Sequence, residues 1–115
     1  MKLQFEDGDL DPRAALVNRW NLLVRCVLPE MAQINHWPIS LDHCFMRVCL
    51  DHALEGPWHL SVKRPAIAHL TDQQLEAAIK VADSLVAKPD KMAELNRQSI
   101  DWRKAAKLKM GIDKT

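Results

Sequence analysis

The chain has 115 residues, of which 48% are hydrophobic and 27% are charged, and its net charge at pH 7 is +1. This composition is typical of one globular domain and excludes a wholly disordered chain. The near balance of charge predicts no strong overall attraction to nucleic acid or to membranes. Glycine occurs 3 times and tyrosine not at all, while alanine and leucine are frequent, so the composition favours helices over sheets.

The first residues are acidic and contain no apolar run, so they do not resemble a signal peptide. No stretch approaches the roughly 18 consecutive apolar residues of a membrane-spanning helix. Cys26, Cys44 and Cys49 are an odd number of cysteines, and we interpret them as reduced thiols rather than a disulfide framework. We therefore expect a cytoplasmic protein that does not associate with membranes.

The first predicted helix begins at Asp11 and Pro12, because aspartate is a good helix cap and proline costs nothing at the first helical position. Pro29 predicts that this helix ends or kinks near Val27 or Leu28. A further turn or two is expected to start at the proline.

Residues 41–54 form the helix around which we expect the rest of the chain to be organised. The segment is apolar on nearly every side, so it must be buried in the middle of the fold. We expect Phe45 and Val48 to lie at its centre. Ser40 is the predicted N-cap, and Gly56 is the predicted left-handed residue after the helix.

Residues 57–70 are the least regular part of the chain. Trp58, Leu60 and Val62 alternate with polar residues, which predicts either an extended crossing segment or a short strand. A strand here would need a partner, and residues 3–5 are the candidate for a two-stranded element. One helical turn is expected within residues 65–70.

Two further helices complete the predicted fold. Thr71 and Gln74 form a capping box that starts a helix ending near residue 87. The last helix is expected at residues 90–110, with Gly111 as its stop signal. The sequence therefore predicts a mainly all-α fold, a compact bundle of about four helices around the central one. Its boundaries are a short segment at residues 1–10, a single helical domain at 11–110 and a tail at 111–115.

A polar stripe on the central helix is the main candidate for a functional site. His43, Arg47 and Asp51 are spaced four residues apart and so share one face. One interpretation is a hydrated strip in which Arg47 pairs with Asp51. The other is the wall of a pocket for an anionic ligand, closed by residues 57–64. That segment would add three candidate ligand-binding side chains, which are His59, Lys63 and Arg64.

All five histidines lie between residues 36 and 69, which raises the question of a zinc site. His43 and His52 point to opposite sides of one helix, and Cys44 and Cys49 also diverge. We therefore predict no metal site and no cofactor, and we interpret His52 as a core histidine. The sequence has no Gly-rich phosphate loop and no nucleophile elbow, so no catalytic residue is assigned.

The C-terminal region is basic, since residues 91–115 contain seven basic residues against three acidic ones, a net charge of +4. This permits contacts with a nucleic-acid backbone. It equally fits a hydrated helix whose basic end complements the helix dipole, which is the interpretation we favour. The candidates for nucleic-acid contact are Arg97, Arg103, Lys104 and Lys107.

Three functions remain open from the sequence. The first is a binding or regulatory domain that acts through an unidentified protein partner. The second is a small enzyme or a protein that binds a small anionic ligand, and the third is a nucleic-acid-binding protein. A cavity lined by the polar stripe would favour the second function. A flat apolar patch around Trp37 or Trp58 would favour the first.

Overall fold

The computed structural model describes residues 11–114, and the side chains of residues 11–109. Its fold is all-α, as predicted, and within residues 11–114 every helix is too short or too polar to cross a membrane. The helices are α1 (Pro12–Leu22), α2 (Leu28–Asn35), α3 (Asp42–Leu54), α4 (Ala66–His69), α5 (Asp72–Ala87) and α6 (Met92–Lys114), with a π-helical segment at Leu23–Val27 and 3-10 turns at Trp58–Leu60 and Pro89–Lys91.

The first helix begins as predicted, with a carboxylate oxygen of Asp11 accepting from the amide of Ala14 at 2.7 Å. Pro29 does not end it, because the chain stays helical through the π segment and α2. Proline cannot donate to the carbonyl four residues earlier, and its ring crowds that carbonyl. The wider π turn just before it accommodates the ring, and the amide of Leu28 bonds to the carbonyl of Leu23.

The central helix α3 is buried as expected. Phe45 and Val48 are both 0% exposed, and α3 packs against α5, α6 and the π segment. Trp37 lies edge-on to Phe45, with ring centres 6.0 Å apart. The connection before α3 therefore closes the core with an aromatic side chain.

Both ends of α3 differ from the prediction by one residue. The N-cap is Leu41, which is 56% exposed and makes no side-chain cap bond, so Ser40 is not the cap. The carboxylate of Asp42 accepts from the next amide instead. At the other end the left-handed residue is Glu55, with a φ of 57°, rather than Gly56. This geometry lets the amide of Gly56 reach the carbonyl of Asp51 at 2.9 Å.

The segment that follows α3 does not form the strand considered above. Trp58–Leu60 is a 3-10 turn, and the proposed partner strand at residues 3–5 lies outside the described residues. The expected helical turn is α4. Val62 and Leu70 are buried, so the segment is packed onto the core at both points.

The capping box at the start of α5 is confirmed, with bonds of 2.9 and 3.0 Å between Thr71 and Gln74. The last helix begins at Met92 after a 3-10 turn, close to the prediction. It continues through Gly111 to Lys114, so Gly111 does not stop it. One glycine costs a helix only about 1 kcal/mol relative to alanine, which the flanking helical residues offset.

We expect Phe45→Ala to lower the free energy of unfolding by about 3–5 kcal/mol, because it leaves a cavity where no water reaches. Chemical denaturation measures this loss. Leu41→Ala, at an exposed site beside the same helix, is the control and should cost less than about 1 kcal/mol. Equal losses in the two variants would show that α3 is not the buried centre.

Candidate functional site

A buried carboxylate, that of Asp51, lies in the last turn of α3 and is 0% exposed. The C-terminal end of a helix carries partial negative charge, so this is an unfavourable place for an anion. Burial adds a desolvation penalty. The carboxylate must therefore be compensated by donors from other parts of the chain.

Four hydrogen bonds supply this compensation. Arg103 on α6 binds both oxygens, from Nε at 2.8 Å and from Nη2 at 3.1 Å. The hydroxyl of Ser99 donates at 2.7 Å, and the backbone amide of Trp58 donates at 2.9 Å. A carboxylate has about four acceptor positions, and these bonds fill them. Asp51 was predicted to contact a ligand. The structure instead places it as an anchor that joins α3, α6 and the 3-10 turn at Trp58–Leu60.

Arg47 does not form the pair with Asp51 that one of the two interpretations of the polar stripe proposed. Arg47 donates instead to the Ser99 hydroxyl at 2.8 Å and to the side-chain oxygen of Asn96 at 2.6 Å. Both acceptors lie on α6, whose packing against α3 brings them over the polar stripe. Both acceptors are neutral, so the charge of Arg47 is not cancelled by an ion pair with any described carboxylate.

An open groove of about 860 Å³ lies between α1, α3 and residues 57–70, and it is lined by Arg47 and His43 of the polar stripe. Its apolar wall includes Trp20, Leu50 and Trp58. Above the Trp58 ring lies the Arg64 guanidinium, 5.2 Å from the ring centre. No acidic side chain of the described residues lines this groove. Its cationic or protonatable side chains are Arg25, His43, Arg47, Arg64 and Arg103.

A smaller cavity of about 360 Å³ shares Arg47 and Arg103 with the groove. His59 lines it from the 3-10 turn. Slight burial, together with the positive charges of Arg103 and Arg64, lowers the pKa of His59 below its usual 6.5, and Asp51 opposes this shift. The lowered pKa favours the neutral imidazole near pH 7, and in that form it can donate or accept a hydrogen bond without adding charge.

The remaining predicted residues are spread over the surface. Lys63 is exposed and lines neither the groove nor the smaller cavity. Arg97 is exposed on α6 and also lines neither. Lys104 and Lys107 line the smaller cavity. Arg103, proposed for nucleic-acid contact, is instead bound to Asp51.

His52 and Cys49 of α3 pack into the interior of the fold, whereas His43 is exposed in the groove wall. The Nε2 atom of His52 lies 2.9 Å from the carbonyl oxygen of Leu95, and its ring packs on Trp102. Burial raises the pKa of the Cys49 thiol to about 12, so it is not a nucleophile at neutral pH. In the described part of the chain, no group of three or more potential ligands could hold a metal ion.

Sequence reasoning missed the contribution of α6 to the site. Asn96, Ser99 and Arg103 lie three and four residues apart on the face that also carries the buried Met92. Polar residues on an otherwise core-facing stripe were the available signal, because such groups are buried only when they have partners. Comparison with protein-family models, curated proteins and solved structures gave no match to this chain.

We expect Asp51→Ala to cost about 3 kcal/mol of unfolding free energy, because Arg103, Ser99 and the Trp58 amide lose their shared acceptor. Breaking a buried ion pair costs about 3–5 kcal/mol, and we expect the lower value because the side chain of Arg103 is 29% exposed. The control is Asp83→Ala, which breaks a half-exposed pair with Arg19 and should cost less than about 1 kcal/mol. Denaturant unfolding measures both, and a loss at Asp51 no larger than the control would contradict the anchor role.

Proposed function

We propose that the protein is a small binding domain that holds an anionic ligand with an apolar body in the groove. The observation that carries this proposal is the composition of the groove wall, which combines several cationic side chains with tryptophan and leucine and has no acidic side chain among the described residues. Its volume of about 860 Å³ is large enough to hold a small organic ligand.

The arginine side chains of the groove wall have N–H donors that are available to a ligand. Arg47 uses two of its N–H donors on Ser99 and Asn96, and the other three have no acceptor among the described residues. Arg64 is held over Trp58 and makes no ion pair with a described carboxylate. A carboxylate or phosphate would bind these guanidinium groups strongly, because its oxygens match their planar donors.

The apolar part of the groove wall indicates the chemistry of the ligand beyond its anionic group. Met46 and Ile67 line the groove with the ring of Trp58, and all three are partly exposed, so they could cover an aliphatic chain or an aromatic ring. A free organic acid has this chemistry, and so does an acidic and apolar peptide from a protein partner. The shared feature is a carboxylate attached to an apolar group.

The other two functions have less support. Trp37 is partly buried, because its indole nitrogen donates to the carbonyl of Pro89 at 2.9 Å and its ring packs on Phe45. Of the four candidates for nucleic-acid contact, Arg103 is paired with Asp51 and Arg97 lines neither cavity, so the four do not form one basic surface. We expect the domain to act in the cytoplasm, because all three cysteines are free thiols.

A matched pair of fluorescent probes tests this proposal. The first probe, 8-anilinonaphthalene-1-sulfonate, is an apolar ring system with an anionic group, and N-phenyl-1-naphthylamine is the same compound without the sulfonate. We expect the folded protein to bind the anionic probe at least about tenfold more tightly, which corresponds to roughly 1.4 kcal/mol. Arg64→Met should remove most of this preference, because it removes a charge from the groove.

Lys63→Met is the control. It removes the charge next to Arg64 in the chain but outside the groove, so the preference for the anionic probe should be unchanged. Equal binding of the two probes would contradict the anion site, and an equal effect of both variants would assign binding to general surface charge. Displacement of the probe by decanoate identifies a small organic acid. Displacement only by a peptide that alternates glutamate with phenylalanine identifies a protein partner.

A further inference from the structure

The smaller cavity has a different chemical character from the groove. One wall is the chain around the 3-10 turn, with Pro57, His59 and Leu60. The other wall is α6, where Lys104 and Lys107 lie three residues apart and therefore on the same side of the helix. Arg47 and Arg103 close the space between these walls.

Positive charge is more concentrated here than in the groove. Arg47, Arg103, Lys104 and Lys107 all line a volume of about 360 Å³, and no acidic side chain of the described residues lines it. Asp51 lies behind Arg103 and compensates for one positive charge only. Neither lysine makes an ion pair with a described carboxylate. The three charges that no described carboxylate compensates, those of Arg47, Lys104 and Lys107, repel one another, and a bound anion would relieve that repulsion.

We propose that this cavity binds a phosphate group, either as inorganic phosphate or as the end of a phosphate monoester. A single carboxylate would satisfy one arginine, whereas a phosphate dianion offers enough charge and oxygen atoms for contacts from both α6 and α3. The apolar lining of Pro57, Leu60 and Ile100 would accommodate a small organic group attached to the phosphate.

His59 fits a role as a neutral partner of the phosphate. Slight burial and the charges of Arg103 and Arg64 lower the pKa of His59, which favours the neutral ring beside the cationic side chains of the cavity. It can still donate one hydrogen bond to a phosphate oxygen. Negative charge beside the ring favours its protonated form, so bound phosphate should raise the pKa of His59.

Calorimetric titration with inorganic phosphate and with phenyl phosphate, at low ionic strength and pH 7.5, tests the proposal. We expect one site per chain, and we expect Lys107→Met to weaken binding by about tenfold or more. Lys109→Met is the matched control, because this exposed lysine on the same helix does not line the cavity and should keep the wild-type affinity. Tighter binding of phenyl phosphate would identify a monoester, and equal binding would identify phosphate itself.

A second readout is the pKa of His59, followed by NMR of its ring protons with and without phosphate. An upward shift that Lys107→Met reduces and Lys109→Met does not reduce would support the site. Unchanged affinity in Lys107→Met would overturn it, and so would an equal loss in Lys109→Met. Arg64→Met removes a charge that acts on His59 but no side chain that lines the cavity, so it should weaken phosphate binding less than Lys107→Met does. The same variant should lose most of the groove's preference for the anionic probe, so failure of the groove and failure of this cavity are distinguishable.

Discussion

The bond between Asp51 and Arg103 is the interaction on which the rest of the structure depends. It places an ion pair at the point where α3, α6 and the 3-10 turn meet, and it fills the acceptor positions of the carboxylate together with Ser99 and the Trp58 amide. An anion at the C-terminal end of a buried helix is unfavourable alone, so the three elements must be assembled together. This anchor fixes the position of residues 57–70, which form one side of both cavities.

The anchor leaves an excess of positive charge. Asp51 compensates Arg103, whereas Arg47 is held beside it by neutral acceptors. The two arginines line the groove and the smaller cavity together, so both cavities have a positive potential. They differ in the rest of the wall, which is tryptophan-rich in the groove and lysine-rich in the smaller cavity. Because of that difference, we assign an anion with an apolar body to the groove and a phosphate to the smaller cavity.

Local signals in the sequence predicted most of the fold and part of the site. The capping box at Thr71 and the burial of Phe45 follow from spacing alone. Of the polar stripe, His43 and Arg47 line the groove, whereas Asp51 is buried behind it. The partners within the site were not predictable in this way. Asp51 and Arg103 are separated by 52 residues, so their pairing depends on how α6 packs against α3 rather than on any local pattern. The π segment before Pro29 was missed for a similar reason, since proline predicts a disturbance but not the form it takes.

Substitution of Arg47 by methionine is the most direct measurement of the central claim, that this arginine supplies charge for binding rather than stability. Methionine keeps the stem packing and removes a partly buried charge, but the side-chain oxygen of Asn96, which is 9% exposed, loses its donor. We therefore expect the unfolding free energy to fall by no more than about 2 kcal/mol. Binding of the anionic probe in the groove and of phosphate in the smaller cavity should both weaken by at least about tenfold. A variant that binds both ligands as the wild type does, or that loses several kcal/mol of stability while binding is unaffected, would contradict the account.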